Sequence, residues 1–257
     1  MARVRSFLKL KGSIGETTFR EVGGKNYAQD KLCVPDTKRR DNDSFIVTRK
    51  NSKEFGSASR AGGLIRSALV DLLPRAADPT MVRSFIKEMM KVMGISHIRW
   101  SQEPAPLLTE NMSILLGYNF NKIVTLQRVF NTPYTATINR ESGELSIHIP
   151  SFNPANCILP PKQATHFQIV STGAEINFAD NKDHRKTFRS EVMKLGDNLT
   201  DTISITHQLT PASTNVLCIV LGLQFSELTK TYYASDAQAK KVNPLCIVQL
   251  DLGTGTI

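Results

Sequence analysis

The chain has 257 residues, is 40% hydrophobic and 21% charged, and carries a formal net charge of +9. That length and composition fit one large or two smaller globular domains with a real core. They exclude a disordered chain, and the lack of any long uninterrupted apolar run excludes a membrane-spanning helix. Charge is distributed unevenly: residues 1–105 hold 20 Lys/Arg against 11 Asp/Glu, whereas residues 106–257 hold 12 of each. The whole excess therefore sits in the first two-fifths of the chain. It predicts an acidic partner for that part, or a basic solvated face.

The N-terminus, MARVRSFLKLKG, is basic but has neither an apolar h-region nor a small-residue cleavage site. No export signal is expected from it, so the default location is the cytoplasm, with a place in a phage-like or extracellular particle as the alternative. SFLKLKG, residues 6–12, reads as a first strand with Phe7, Lys9 and Lys11 on one face. ETTFREV and KNYAQDK then flank Gly23-Gly24 as a hairpin whose only large aromatic side chains are Phe19 and Tyr27. A lone two-stranded hairpin is marginal in water, so this one is expected to dock on something. Residues 32–43, LCVPDTKRRDND, read as linker.

Helical periodicity begins at Asp43 or Ser44, either of which can cap, and runs through Phe55, Ala58, Gly62, Ile65, Leu69 and Leu72. It predicts one helix over residues 44–73, or two with a break at Gly62-Gly63. Pro74 ends the pattern. In DPTMVRSFIKEMMKVMG, Asp78 is expected to cap a second helix and Gly94 to stop it, with a core-facing methionine cluster between.

Beyond residue 105 strand signals take over. PYTATINRESGELSIHIP, residues 133–150, is the clearest hairpin, with Leu145, Ile147 and Ile149 on one face and Ser146 and His148 on the other. MSILLGY, IVTLQRVF, THFQIVST, AEINFA, DTISITHQL, NVLCIVLGLQF and LCIVQLDL read as further strands. The expected fold is α+β: an extended strand and hairpin arm over residues 1–43, a helical hairpin over 44–95, and an antiparallel β-sandwich, Ig-like or jelly-roll-like, over 105–257.

No catalytic constellation is legible. The five histidines are at least 18 residues apart, the four cysteines are scattered, and Cys218 and Cys246 lie in strongly apolar runs. Gly23-Gly24-Lys25 lacks the upstream glycine and following Ser/Thr of a phosphate loop, and no G-x-S-x-G elbow occurs. No catalytic residue, metal or cofactor is expected.

The leading reading is a non-enzymatic structural protein that self-assembles, as a homo-oligomer, into a filament, tube, ring or shell. The arm would reach a neighbouring subunit by strand addition or by clasping its helices. Phe7, Lys9, Lys11, Phe19, Arg20, Lys25 and Tyr27 are the expected subunit contacts. The alternative is a nucleic-acid-binding accessory protein using the basic first 105 residues, with Lys38, Arg39, Arg40, Arg49 and Lys50 on phosphates. Six interleaved acidic residues, from Glu16 to Asp43, suit a salt-bridged protein contact better than a phosphate groove.

KLKGSIGETTF, TRKNSKEFGSASRAGGLIRSAL, MMKVM and TATINRESGELSIHIPSFNPAN together resemble an uncharacterised family of roughly 250-residue proteins common in Bacteroidota genomes. The similarity covers most of the chain and is densest over residues 9–93 and 133–156. Family members usually read Thr-Arg-Glu-Asn before the EFG stretch; Lys50 replaces that glutamate here and removes a local charge pairing. The resemblance implies a bacterial or phage-linked origin and the organisation above. It brings no assigned activity and transfers no catalytic residue.

Overall fold

The computed structural model describes residues 2–3, 10–22, 24–31, 42–94, 109–227 and 242–253. The chain divides into two units, residues 1–51 and 52–257. The fold is mixed and β-rich, with a few helices and several antiparallel sheets, and the described residues form no closed barrel. Among the described residues no helix is long and apolar enough to cross a membrane.

In the first unit the hairpin forms as expected, from β3 (Thr17–Val22) and β4 (Lys25–Asp30), with Gly24 at φ +73° in the turn. It is not a lone hairpin. β1 (Ala2–Arg3) pairs with β4 and β2 (Gly12–Ile14) pairs with β3, giving a four-stranded sheet in the order β1-β4-β3-β2. The expected first strand over residues 6–12 falls mostly outside the described residues; of it, Gly12 is paired, opposite Phe19.

Asn42, rather than Asp43 or Ser44, caps the first helical segment: its side chain accepts from the Ser44 N–H at 2.9 Å. After a 3-10 turn (Asp43–Phe45), α1 (Ile46–Ala68) runs unbroken through Gly62-Gly63. It stops short of Pro74, which sits instead in the first turn of a separate one-turn helix, α2 (Leu73–Ala76). Gly62 has a packing reason: a Cβ there would lie 3.2 Å from Met89 Cγ, on α3 (Met81–Val92). Asp78 does not cap α3 directly. It lies two residues before the cap, Thr80, and its buried carboxylate accepts from the Thr80 N–H and hydroxyl and from the Lys122 N–H.

Two predicted strands prove otherwise. MSILLGY lies mostly in a 3-10 segment (Thr109–Leu115), and IVTLQRVF contains the one-turn helix α4 (Leu126–Val129). Their buried residues explain why: Met112 and Leu115, then Leu126, Val129 and Phe130, recur at helical spacing, while Ile114, Leu116 and Ile123 are exposed. Next comes the expected hairpin, β5 (Thr135–Asn139) and β6 (Glu144–Ile149), followed by the one-turn helix α5 (Pro154–Cys157).

β7 (His166–Asn177) joins two of the predicted strands into one through Gly173. β8 (Lys182–Arg189), β9 (Met193–Lys194), β10 (Ile203–Gln208), β11 (Val216–Ser226) and β12 (Leu245–Asp251) complete the described elements. They form a five-stranded sheet in the order β12-β11-β7-β8, with β9 also on β7, and a three-stranded sheet in the order β10-β6-β5.

β11 is buried along almost its whole length because both its faces are covered. Val216, Cys218 and Val220 share a core with Ile65, Leu69, Phe85 and Met89 of the helical region. Leu217, Ile219, Leu221, Leu223 and Phe225 share a second core with Leu145, Ile147, Ile149 and Ile205 of the three-stranded sheet. One sheet thus separates helices from a second sheet, and strand parity decides which core each residue joins. Cys218 and Cys246 are buried, one in each core, and burial pushes their thiols up to about 12 and about 11.

Candidate interaction surface

The candidate surface is the four-stranded sheet of the first unit. Its cross-strand pairs are Thr17–Asp30, Thr18–Gln29, Phe19–Ala28, Arg20–Tyr27, Glu21–Asn26 and Val22–Lys25. Directly opposed residues share a face, and alternate residues along a strand change face. One face therefore carries Ile14, Thr17, Phe19, Glu21, Asn26, Ala28 and Asp30. The other carries Ser13, Thr18, Arg20, Val22, Lys25, Tyr27 and Gln29.

The structure thus brings together three of the predicted contact residues, Arg20, Lys25 and Tyr27, and puts Phe19 on the opposite face. Lys11 is exposed just ahead of β2. Phe7, Lys9, Lys38, Arg39 and Arg40 lie outside the described residues. Arg49 is engaged locally, its guanidinium donating to the Asn42 carbonyl at 2.9 Å, and Lys50 is half-buried on α1.

None of the described residues from Leu10 to Asn51 is buried. Phe19 and Tyr27 are half-buried, Ile14 is 64% exposed and Val22 51% exposed. Both outer edges of the hairpin are already taken in part, by β1 at Tyr27–Ala28 and by β2 at Thr17–Phe19. β1 and β2 are thus the outermost strands of the sheet.

The second unit contains the polar clusters that could carry chemistry. His207 Nε2 and Ser171 Oγ are 2.9 Å apart, a Ser–His pair, but both residues are buried between the sheets. Burial lowers the imidazole to about 4, which keeps it neutral. Glu175, also buried, accepts from Ser213 Oγ and from Asn215 Nδ2. Burial raises its carboxyl, but hydrogen bonds from Ser213, Thr210 and Asn215 and the nearby His184 together hold it below the usual carboxylate range.

Arg140 spends its guanidinium on Asp251 and on the carbonyls of Ser213, Asn215 and Asp251, fastening the β5–β6 turn to the loop before β11 and to the end of β12. A groove of about 640 Å³ runs beside α1, lined among others by Ser57, Arg60, Leu64, Phe178 and Asp183. Ser171 and His207 are thus enclosed in the fold, and Glu175 is hydrogen-bonded there through Oε1 while its buried Oε2 makes no hydrogen bond. Among the described residues no group of His, Cys, Asp and Glu side chains is arranged to hold a metal ion.

Compared with known families and with curated proteins, the chain matches no family model and no curated sequence.

Proposed function

We propose that this is a non-enzymatic structural protein that self-assembles through its N-terminal sheet. The observation that supports the reading most is a four-stranded sheet with no buried side chain among its described residues. A sheet is ordinarily stabilised by packing one face against a core. A second copy of the chain would supply that cover. The first 51 residues carry 12 Lys/Arg and 6 Asp/Glu, so both signs are on hand for contacts between like subunits. The facing sheets of the second unit are read, within the same proposal, as an antiparallel sandwich that serves as the rigid body of each subunit. Their shared core supports this.

A variant lacking residues 1–32 keeps every residue of both hydrophobic cores. It is expected to fold and to remain monomeric where the full chain assembles. If it assembles like the full chain, the sheet is not the assembly element.

The alternative, nucleic-acid binding, draws on Tyr27 lying on one face with Arg20 and Lys25, an aromatic platform beside cations. Filter binding at two salt concentrations separates the readings. Contact with several phosphates demands a steep loss of affinity as salt rises, and absence of binding at low salt rules the alternative out.

A further inference from the structure

Within the strands of the N-terminal sheet, the register sorts the described charged side chains by face, while Glu16 and Lys31 extend the ladder just beyond them. Both acidic residues within the strands, Glu21 and Asp30, fall on the face that also carries Phe19 and Ile14. Both described basic side chains within the strands, Arg20 and Lys25, fall on the face that carries Tyr27 and Val22. All four charged residues are exposed. One face thus pairs carboxylates with Phe19 and Ile14, and the other pairs cations with Tyr27 and Val22. Glu21, Arg20 and Lys25 moreover lie at the same end of the hairpin, next to its turn.

We propose that the occupant of each face is the opposite face of the same sheet in another copy, so that subunits stack head to tail. This rests on the self-assembly reading above and specifies its geometry. Like-on-like packing would set Arg20 and Lys25 against their own copies, or Glu21 and Asp30 against theirs, and directly opposed like charges are destabilising. Opposite-face packing brings each cation to a carboxylate and covers Phe19 and Ile14 with Tyr27 and Val22. Such a contact uses two different surfaces, so it does not close on itself as a two-fold dimer does; it continues into a chain of subunits or a ring.

The size of the face sets the strength of the contact. Six-residue strands are about 20 Å long and four strands span about 15 Å, so each face offers on the order of 300 Å². Stable interfaces bury about 800 Å² per partner. Stacking is therefore reversible, favoured by concentration, and weakened by salt because its ion pairs lie at the rim.

The test is a pair of charge reversals read by sedimentation velocity at low ionic strength. Arg20→Glu/Lys25→Glu makes both faces acidic, and Glu21→Lys/Asp30→Lys makes both basic. Each variant alone is expected to stay monomeric, and an equimolar mixture is expected to regain the assembly of the wild type. Wild-type assembly with either variant fully competent alone overturns head-to-tail stacking while leaving self-assembly standing. Variants that fail alone and also fail as a mixture overturn it too. A wild-type chain that stays monomeric at every concentration overturns self-assembly itself.

Discussion

At the scale of single residues, His207 gives the sharpest expectation. Its imidazole is 2% exposed and titrates at about 4 in the fold, against 6.5 for an ordinary histidine. Between those values the unfolded chain binds a proton that the folded chain does not. The stability due to the neutral imidazole is thus fully present above pH 6.5 and is lost as pH falls toward 4. The loss is on the order of 3 kcal/mol. Between pH 7 and pH 5 about 2 kcal/mol of this should be lost, read from denaturant unfolding, and His207→Gln should flatten the dependence. An unchanged slope in that variant would show that another group carries it. The carboxyls of Glu175, Asp78 and Asp251 are all held low, so their contributions disappear only at more acid pH.

Gly173 is tied to the same contact, because a Cβ there would lie 2.7 Å from His207 Cβ. Gly173→Ala should cost about 1–3 kcal/mol in equilibrium unfolding. Neither residue announces this role in the sequence: the pairing joins positions 173 and 207, and only the approach of β10 to β7 creates it.

At the scale of elements, α1 carries three glycines with different consequences. Gly62 touches Met89 and Phe85, whereas a Cβ at Gly56 meets nothing within 4 Å and one at Gly63 meets only Arg66, at 3.7 Å. Gly56→Ala and Gly63→Ala should each raise stability by about 0.5–1 kcal/mol, seen as a higher denaturant midpoint, because alanine relieves the helix entropy cost without a clash. Gly62→Ala should bring no such gain.

Elements with strong periodicity were legible from the sequence. Alternation placed β5, β6 and β10, the turn glycines placed β3 and β4, and helical spacing placed α1 and α3. β8 was not seen because KDHRKTFR has no apolar alternation; as an edge strand it pairs only with β7 and wears charge where a central strand wears valine. MSILLGY and IVTLQRVF read as strands because short apolar runs fit a buried strand and a single helical turn equally well. The candidate surface was legible in part. Residue types marked the hairpin as basic and thinly apolar, but the separation of charges between faces depends on register, which neither Arg20 nor Glu21 reveals alone.

At the scale of the whole molecule, the two units differ in how they are stabilised. Residues 52–257 contain both hydrophobic cores, whereas no described residue from Leu10 to Asn51 is buried. Removing the N-terminal segment should therefore leave cooperative unfolding of the remainder largely intact. Disrupting the second unit should abolish folding of the cores altogether. Arg140→Lys probes that body: lysine cannot serve Asp251 and the three carbonyls together, and a loss of about 1–3 kcal/mol is expected in equilibrium unfolding. Assembly should survive the change wherever the variant stays folded, because Arg140 lies in the second unit.

The most direct measurement is the mass in solution of the full chain and of the variant lacking residues 1–32, followed by sedimentation velocity over a wide concentration range. A mass that grows with concentration for the full chain, and a monomer throughout for the variant, is the predicted result. A full chain that sediments as a monomer at every concentration, or a variant that assembles equally well, would contradict it.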